Sequence, residues 1–311
     1  MLFQINDISG ILNNPNVHEL KRNKPQFMED VVILSGDLKS SMNFRIYVDN
    51  HAEVRNGMAE KYTGTAMHSF WTDMTQTLGL FVDGVNLMRL NSDYTATSLY
   101  ASLTASKRMT YMEHRLADKQ GQYIVYMGNT EQMLKHNRYD GTVSAWGDTT
   151  NLDSEFEEPL RQYCTPPKSN IIHSYRARTY VIDGKFLLYS ESGRPETFRK
   201  ANNIPLEEEG TAISSDNENM YIHSLNSTLV LSGFDPDDFT YSRQDIGVIK
   251  HGSINPYGKP VCITKKGWAI CEGGMIAYVD YDNFRLDLSD LAEAYMGYDP
   301  INNEVIARIL Q

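Results

Sequence analysis

The sequence predicts an all-β fold, in which antiparallel hairpins form the blades of a β-propeller-like ring. Two segments share one design, an apolar run followed by Asp-Gly and a second apolar run: LFVDGVNLMRL (80–90) and RTYVIDGKFLLY (178–189). Asp-Gly between apolar runs is a strong hairpin signal, because both central residues of a type I′ turn need a positive φ. We therefore expect tight turns centred on Asp83-Gly84 and Asp183-Gly184.

Three looser segments repeat this pattern: QYIVYMGNTEQML (122–134), NMYIHSLNSTLVLSG (219–233) and GWAICEGGMIAYVD (267–280). The five turn centres fall near Gly84, Gly128, Gly184, Asn226 and Gly273 and are separated by 44, 56, 42 and 47 residues. A repeat of this length matches one four-stranded propeller blade. FRIYVDNHAEVRNG (44–57) fits a further, degenerate hairpin. The alternative is a β-sandwich with long loops.

We expect about six blades, with the N- and C-terminal strands sharing one of them because an open sheet edge would be a liability. The C-terminal strand would contribute four apolar residues, Val305, Ile306, Ile309 and Leu310. No flexible linker divides the chain, so residues 1–311 are predicted to form a single propeller-like domain. Helical patterns are scarce, and the best is LSDLAEAY (288–295), whose apolar residues share one helix face.

Three stretches have the composition of connections rather than strands. The longest is a loop excursion at 147–170, which is acidic and contains three prolines. NNIPLEEEG (202–210) and GFDPDDF (233–239) read as links between blades. Each could contact a neighbouring subunit or partner, or could be a solvated loop.

Composition excludes several classes of protein. The formal net charge of −11 and the lack of a dense Lys/Arg run argue against a nucleic-acid binder that neutralises phosphates. No stretch has the apolar length of a membrane span, and the first ten residues lack the pattern of a signal peptide. The three cysteines form no CxxC pair, so neither a disulfide framework nor a zinc site is expected. Cys262 and Cys271 are expected to be plain core residues, and the alternative is that they lie close together on neighbouring strands.

The search for chemistry predicts no catalytic, cofactor-binding or metal-binding residues. SSDNENMY (214–221) approaches a sialidase Asp-box but has Glu218 in place of glycine, so an Asx turn before Met220 explains it better. Ser190-Glu191 lacks the Gly-x-Ser-x-Gly elbow of a nucleophile. The carboxylates at 207–209 and 235–238 lack calcium-loop spacing. The eight histidines show no metal-binding spacing, although four of them, His68, His173, His223 and His251, lie near predicted strands.

The segment HSYRARTYVIDGKFLLYSESGRPETF (173–198) resembles a recurring stretch of the tail-hub, nozzle or packaged-DNA stabilisation proteins of short-tailed bacteriophages. In that family two arginines precede a strand, a glycine turn, LYYSEP and a later aromatic residue. The matching residues here are Arg176, Arg178, Gly184, Tyr189-Ser190-Glu191, Pro195, Glu196 and Phe198.

Further segments resemble the same family in the same order: RIYVDNHAEVRNGM (45–58), MHSFWTD (67–73), GTAISSDNENMYIHSLNSTLVLSGFDPDDF (210–239) and HGSINPYGKPVCITKKGWAICEGG (251–274). The first of them keeps Asp49, Arg55 and Gly57 but lacks the early glycine of the family's pattern. No single motif is specific alone, and their shared order is the stronger argument.

The resemblance implies a structural, non-enzymatic virion protein that is made in the cytoplasm of the host bacterium. Several copies, six as the family implies, would form a ring below the portal or its adaptor, continue the DNA channel and hold other tail parts, including fibres. Double-stranded DNA would pass through without sequence-specific binding, and no membrane insertion is expected. The alternatives are a propeller enzyme acting on cell-surface glycans and a monomeric propeller for host recognition or protein interaction.

Overall fold

The structure, a computed structural model, describes residues 2–5, 44–46, 52–54, 64, 67–73, 78–91, 93–105, 107–115, 123–147, 162–279, 286–299 and 304–310. It divides into two compact units, Glu60–Ile213 and the combination of Met1–Ala59 with Ser214–Gln311. That the chain forms a single domain stays a prediction. No helix in the described ranges is long and apolar enough to cross a membrane.

The strands before residue 206 are β1 Leu2–Ile5, β2 Phe44–Ile46, β3 Ala52–Val54, β4 Met67–Thr72, β5 Gly79–Asp83, β6 Asn86–Leu90, β7 Ala96–Tyr100, β8 Thr110–Arg115, β9 Tyr123–Gly128, β10 Met133–Asn137, β11 Val143–Ala145, β12 Tyr163–Cys164, β13 Ile172–Tyr175, β14 Arg178–Asp183, β15 Phe186–Glu191 and β16 Arg194–Pro205. Within Glu60–Ile213 they form two four-stranded sheets, β4–β7 and β8–β11, and a five-stranded sheet in the order β12-β16-β15-β14-β13. β2 and β3 pair with each other as a two-stranded hairpin.

The later strands are β17 Gly210–Ser215, β18 Asn219–Ser224, β19 Thr228–Ser232, β20 Thr240–Gln244, β21 Ser253–Ile254, β22 Val261–Ile263, β23 Trp268–Glu272, β24 Met275–Tyr278, β25 Glu293–Asp299 and β26 Glu304–Leu310. β17–β20 and β21–β24 form two more four-stranded sheets in chain order. Two 3₁₀ turns, Pro236–Asp238 and Pro256–Gly258, are the only helical elements in the described residues.

The fold is therefore all-β and propeller-like, as predicted, since each four-stranded sheet is a meander of consecutive strands. The N- and C-terminal strands also share a sheet, in the order β1-β26-β25, with Leu2 opposite Arg308 and Ile5 opposite Val305. Together with the five sheets above, this makes six sheets of three to five strands among the described residues, in agreement with the expected number of blades.

All five predicted hairpins are present, but the two Asp-Gly turns lie one residue later than expected. Asp83 pairs with Asn86 and Asp183 with Phe186, so the central residues are Gly84-Val85 and Gly184-Lys185. Only the glycine of each pair has a positive φ, 64° and 58°. This is the pattern of a type II′ turn, with glycine at its first central position, and the predicted type I′ assignment is wrong. The type I′ pattern occurs instead at Gly273-Gly274, with φ of 59° and 79°.

The helix considered at 288–295 is absent, because this segment follows a strand period. Ala292 and Ala294 are buried two residues apart, whereas Leu291 is 90% exposed. Ala294 N–H donates to the carbonyl oxygen of Lys250, and β25 pairs with β26. In β26, Val305 and Ile309 are buried as expected, while Leu310 is 39% exposed. Nothing is described of the Ile306 side chain.

Two predicted connections need correction. Residues 202–205 belong to β16, so only 206–209 connect that sheet to β17. Residues 233–239 lie between β19 and β20 of one sheet, and therefore do not link two blades. The centre of the excursion at 147–170 lies outside the described residues, and its end contributes β12, which pairs with β16.

Each unit has its own apolar core between sheets. In Glu60–Ile213, one cluster surrounds Leu87 and Val125, and a second surrounds Tyr126, Trp146 and Phe198. In the other unit, a cluster around Ile249, Ile263 and Trp268 joins the strands of the C-terminal hairpin.

Candidate functional site

A buried cluster of three side chains, of types that can bind a metal ion, lies in the unit that contains the C-terminus. His223 lies near the end of β18, and Cys262 and Cys271 lie on β22 and β23. All three residues are 0% exposed, and their donor atoms lie within 4.8 Å of one another. Among the residues that the structure describes, this is the only such group of three or more His, Cys, Asp or Glu side chains.

Antiparallel pairing brings the two thiols together. Cys262 is directly opposite Ala269, so Cys271 is its diagonal neighbour, two residues along β23 and on the same face. The two Sγ atoms are 3.7 Å apart, and both cysteines are free thiols. Both cysteines are buried, as expected, and they also lie close together on neighbouring strands, which was the alternative.

The second ring nitrogen of His223, Nδ1, contacts the hydroxyl of Thr228, which holds the imidazole in place. Thr228, its partner on β19, uses its hydroxyl proton to donate to the carbonyl oxygen of Ile246 at 2.7 Å. The contact of 3.0 Å between His223 Nδ1 and Thr228 Oγ1 therefore requires Nδ1–H to be the donor. In the neutral ring this leaves a lone pair on Nε2. Nε2 lies 2.7 Å from Ser214 Oγ and 3.7 Å from Cys262 Sγ, so its lone pair is directed at the cluster.

The two thiols differ in acidity. Burial raises the pKa of the Cys262 thiol, but hydrogen bonding to Cys271 and the neighbouring His223 and Ser253 side chains lower it, and the resulting pKa lies well below its usual value. The pKa of Cys271 is raised, chiefly because its thiol donates to Cys262 and also because it is buried.

Next to this cluster, Asp216 forms the predicted Asx turn. Its Oδ1 accepts hydrogen bonds from the backbone N–H groups of Glu218 at 2.8 Å and Asn219 at 2.6 Å. Its Oδ2 accepts from the Tyr221 hydroxyl at 2.6 Å and from Gly273 N–H at 3.1 Å. Partial burial opposes ionisation, but these hydrogen bonds lower the pKa of Asp216 below its ordinary value of 3.8. The carboxylate links β18 to the turn between β23 and β24 and is a structural group.

We expect the Asp216→Asn protein to lose less stability in acid than the wild type. The folded pKa of Asp216 is depressed, so its contribution is complete above the ordinary carboxyl pKa and disappears as the pH falls towards the folded value. Urea unfolding between about pH 6 and pH 2 measures the difference. Asp237→Asn, at an exposed carboxylate of the same unit, is the matched control and should follow the wild type. If the free energy of unfolding depends on pH in the same way for the wild type and Asp216→Asn, the assigned stabilising role of the Asp216 carboxylate is wrong.

The Ser190-Glu191 pair lies within the sheet, and its polar atoms bind neighbouring strands. Ser190 is fully buried, its Oγ accepts from Thr179 N–H at 2.9 Å, and its hydroxyl donates to Glu191 O at 3.1 Å. Arg178 donates to Ser190 O at 2.7 Å, and Glu191 forms an ion pair of 2.9 Å with Arg199. These bonds stabilise the point where β14, β15 and β16 meet.

Ser190→Ala should lower the free energy of unfolding by about 1–3 kcal/mol, because it leaves the buried Thr179 N–H without its acceptor. Chemical denaturation gives the value. Ser192→Ala, at the exposed turn two residues on, should stay within about 0.5 kcal/mol of the wild type. Equal effects of the two substitutions would show that the Ser190 hydrogen bonds contribute nothing.

Three of the other histidines have local polar contacts, and two fall outside the described residues. His68 Nδ1 contacts Ser69 Oγ at 2.8 Å, His136 Nδ1 contacts Thr142 O at 3.3 Å, and His251 lies 3.6 Å from Glu293. His18 and His51 are not described. Of the four strand histidines, His223 is the one that meets two further metal-binding side chains.

Comparisons with known proteins give no family. No family model matches the chain, and no curated protein matches it. Among solved structures, the extracellular domain of a one component system from B. thetaiotaomicron is 10% identical, with a TM-score of 0.44 over 71% of this chain and 29% of that chain. Kluyveromyces lactis Hsv2 is 12% identical, with a TM-score of 0.41 over 76% and 67%. Saccharomyces cerevisiae Sqt1 is 12% identical, with a TM-score of 0.41 over 71% and 63%. The chain spans less than a third of the first of these proteins.

Proposed function

We propose that the chain is a structural component of a bacteriophage tail, a subunit of a hub or nozzle ring. The observation that carries the proposal is the match between sequence segments and sheets. Of the segments that resemble the phage proteins, 67–73 contains β4, 173–198 runs from β13 into β16, 210–239 contains β17–β19, and 251–274 contains β21–β23. Each of these segments lies in a different sheet, and the segments follow one another in the same order as in the phage proteins. Two proteins that share an architecture would show this pattern.

The signature residues of the central segment have architectural contacts, which supports the same proposal. The Arg178 guanidinium lies 5.6 Å from the centre of the Tyr189 ring and donates to the backbone beside it. Ser190 and Glu191 bind neighbouring strands, as described above. A signature of this kind preserves a sheet rather than an active site.

The charge of the chain agrees with passage of DNA. With a net charge of −11, the protein repels phosphate groups on average, so a duplex would move past it without being held. In this role six copies form a ring below the portal or its adaptor, continue the DNA channel, help retain the packaged genome and attach other tail parts, fibres among them.

The connection at 233–239 is a candidate contact with a neighbouring subunit or tail part. Phe234 is 71% exposed there and is followed by three aspartates, Asp235, Asp237 and Asp238. An exposed aromatic side chain with a polar rim is typical of an interaction site. Phe234→Ala should therefore weaken assembly without unfolding the chain.

The direct test is to mix the purified chain with a purified portal–adaptor complex and measure the mass of the product by size-exclusion chromatography with light scattering. We expect a complex containing a ring of chains, and less of it with Phe234→Ala. Tyr139→Ala removes another highly exposed aromatic side chain and serves as the matched control for Phe234→Ala. A chain that stays monomeric and ignores the complex would contradict the proposal.

A further inference from the structure

The cluster of His223, Cys262 and Cys271 has the spacing of a tetrahedral metal site. In such a zinc site, Zn–S bonds of about 2.3 Å place two sulfur ligands about 3.8 Å apart. With a Zn–N bond of about 2.0 Å, sulfur and nitrogen ligands lie about 3.5 Å apart. Here the two sulfurs are 3.7 Å apart, and Cys262 Sγ is 3.7 Å from His223 Nε2. These two separations fit edges of the tetrahedron, and all three donor atoms lie within 4.8 Å of one another. Ser214 Oγ, now 2.7 Å from Nε2, has to move away by about half an ångström to complete a tetrahedron with bonds of about 2.0 Å.

The surroundings of His223 are those of a metal-binding imidazole. Nδ1–H donates to Thr228 Oγ1, which in turn donates to a backbone carbonyl, so the ring is fixed with Nε2 facing the sulfurs. Metal-binding histidines almost always have such a partner on the other nitrogen. Ser214 Oγ, 2.7 Å from Nε2, is an oxygen atom beside the three ligands.

Charge and chemistry select the ion. Two thiolates neutralise a divalent cation, which matters in a site whose three ligands are 0% exposed, because a buried unpaired charge is costly. Sulfur and imidazole ligands suit zinc, whereas Mg²⁺ and Ca²⁺ require oxygen ligands. The full burial of the cluster fits a structural ion better than a catalytic one with an open position.

We propose that His223, Cys262 and Cys271 bind one structural Zn²⁺ through Nε2 and the two sulfurs, with Ser214 Oγ as the fourth donor. On binding, Zn²⁺ replaces the two thiol protons, which are released to solvent, and replaces the hydrogen bond to the Nε2 lone pair. Since β18 belongs to one sheet and β22 and β23 to the next, the ion joins two sheets of the same unit. This site is independent of the tail role.

The test is metal analysis of the full chain purified under reducing conditions with zinc present. We expect one zinc per chain in the wild type and a large loss of zinc in Cys262→Ser and Cys271→Ser. The matched control is Cys164→Ser, which removes the third cysteine, on β12, and should retain the metal. If the two serine variants do not fold, cobalt titration of the wild type decides. Thiolate-to-cobalt charge-transfer bands and tetrahedral d–d bands are then expected.

Thr228→Val tests the positioning role of the threonine hydroxyl, because valine keeps the shape and removes the acceptor for Nδ1–H. Zinc affinity, measured by competition with a chelator, should fall about 10–100-fold, with the cobalt spectrum retained. Zinc should also raise the unfolding temperature of the wild type, since it binds the folded state. A folded wild type that contains no zinc, shows no cobalt bands and gains no stability from zinc would overturn the proposal. A disulfide between Cys262 and Cys271 in protein purified under reducing conditions would overturn the proposal as well.

Discussion

Phe198→Ala is expected to lower the free energy of unfolding by about 3–5 kcal/mol, the usual cost of truncating a large buried aromatic residue. Phe198 lies on β16, is 0% exposed and packs in the same core cluster as Tyr126 and Trp146. Its ring is 6.4 Å from that of Trp146, in an edge-to-face arrangement. The substitution removes contacts between the β8–β11 sheet and the next sheet of the same unit, so both should unfold at lower denaturant concentration.

Phe186→Ala is the matched control, because Phe186 is on β15 of the same sheet but is 50% exposed. It should cost no more than about 1 kcal/mol, since a half-exposed ring buries less apolar area. Urea denaturation followed by circular dichroism measures both variants. If the two substitutions cost the same, the assignment of Phe198 to the core between these sheets is wrong.

Gly247→Ala should be the most damaging of the small substitutions, at about 3 kcal/mol, the upper end of the usual cost of overpacking. A Cβ at this position would lie 2.1 Å from the carbonyl oxygen of Leu225 and 2.5 Å from the backbone nitrogen of Asn226. These are backbone atoms of the turn between β18 and β19, so no side chain can rotate away. The adjacent hydrogen bond from Val248 N–H to Ser224 O, 2.9 Å long, would be displaced too.

Gly297→Ala provides the control within the same unit, because a Cβ added there meets no atom within 4 Å. Gly297 lies inside β25, where alanine costs less chain entropy than glycine, so the variant should be as stable as the wild type or slightly more stable. Thermal unfolding of the two variants side by side distinguishes them. If the Gly247→Ala protein is as stable as Gly297→Ala, the backbone of the turn at Leu225 does not pack closely against residue 247.

The hairpins could be predicted from the sequence because their signals are local. Apolar runs on both sides of Gly84, Gly184 and Gly273 predict the two paired strands of each hairpin, and the spacing of the turns predicts the length of one blade. The turn type depends on which residues pair across the turn. That pairing is set by the alternation of buried positions along both strands, and the Asp-Gly pair alone does not define the strand register to one residue.

The errors share a cause, which is that tertiary packing decided between locally similar patterns. Residues 288–295 carry apolar side chains at helical spacing, yet burial at Ala292 and Ala294 and pairing with β26 favour a strand. The polar stretch at 233–239 contains signals for a connection but not for which strands it connects. Its neighbours β19 and β20 pair with each other, which only the sheet register reveals.

The buried cluster was only half visible in the sequence. Cys262 and Cys271 have the separation expected of neighbours on adjacent strands, and their proximity was the alternative to plain core positions. His223 comes from a different sheet, 39 residues before Cys262, and nothing in a spacing pattern connects it to them. The available signal was its position opposite Thr228 in a strand whose residues are all buried, where an imidazole needs polar partners.

We propose that this propeller-like chain is a ring subunit of a phage tail. Imaging an assembled particle by cryo-electron microscopy tests this proposal most directly. We expect a ring of six chains below the portal or its adaptor, with about six sheets per chain and a passage for DNA along the axis. A particle in which this chain is absent from the tail, or is present as single separated copies, would contradict it.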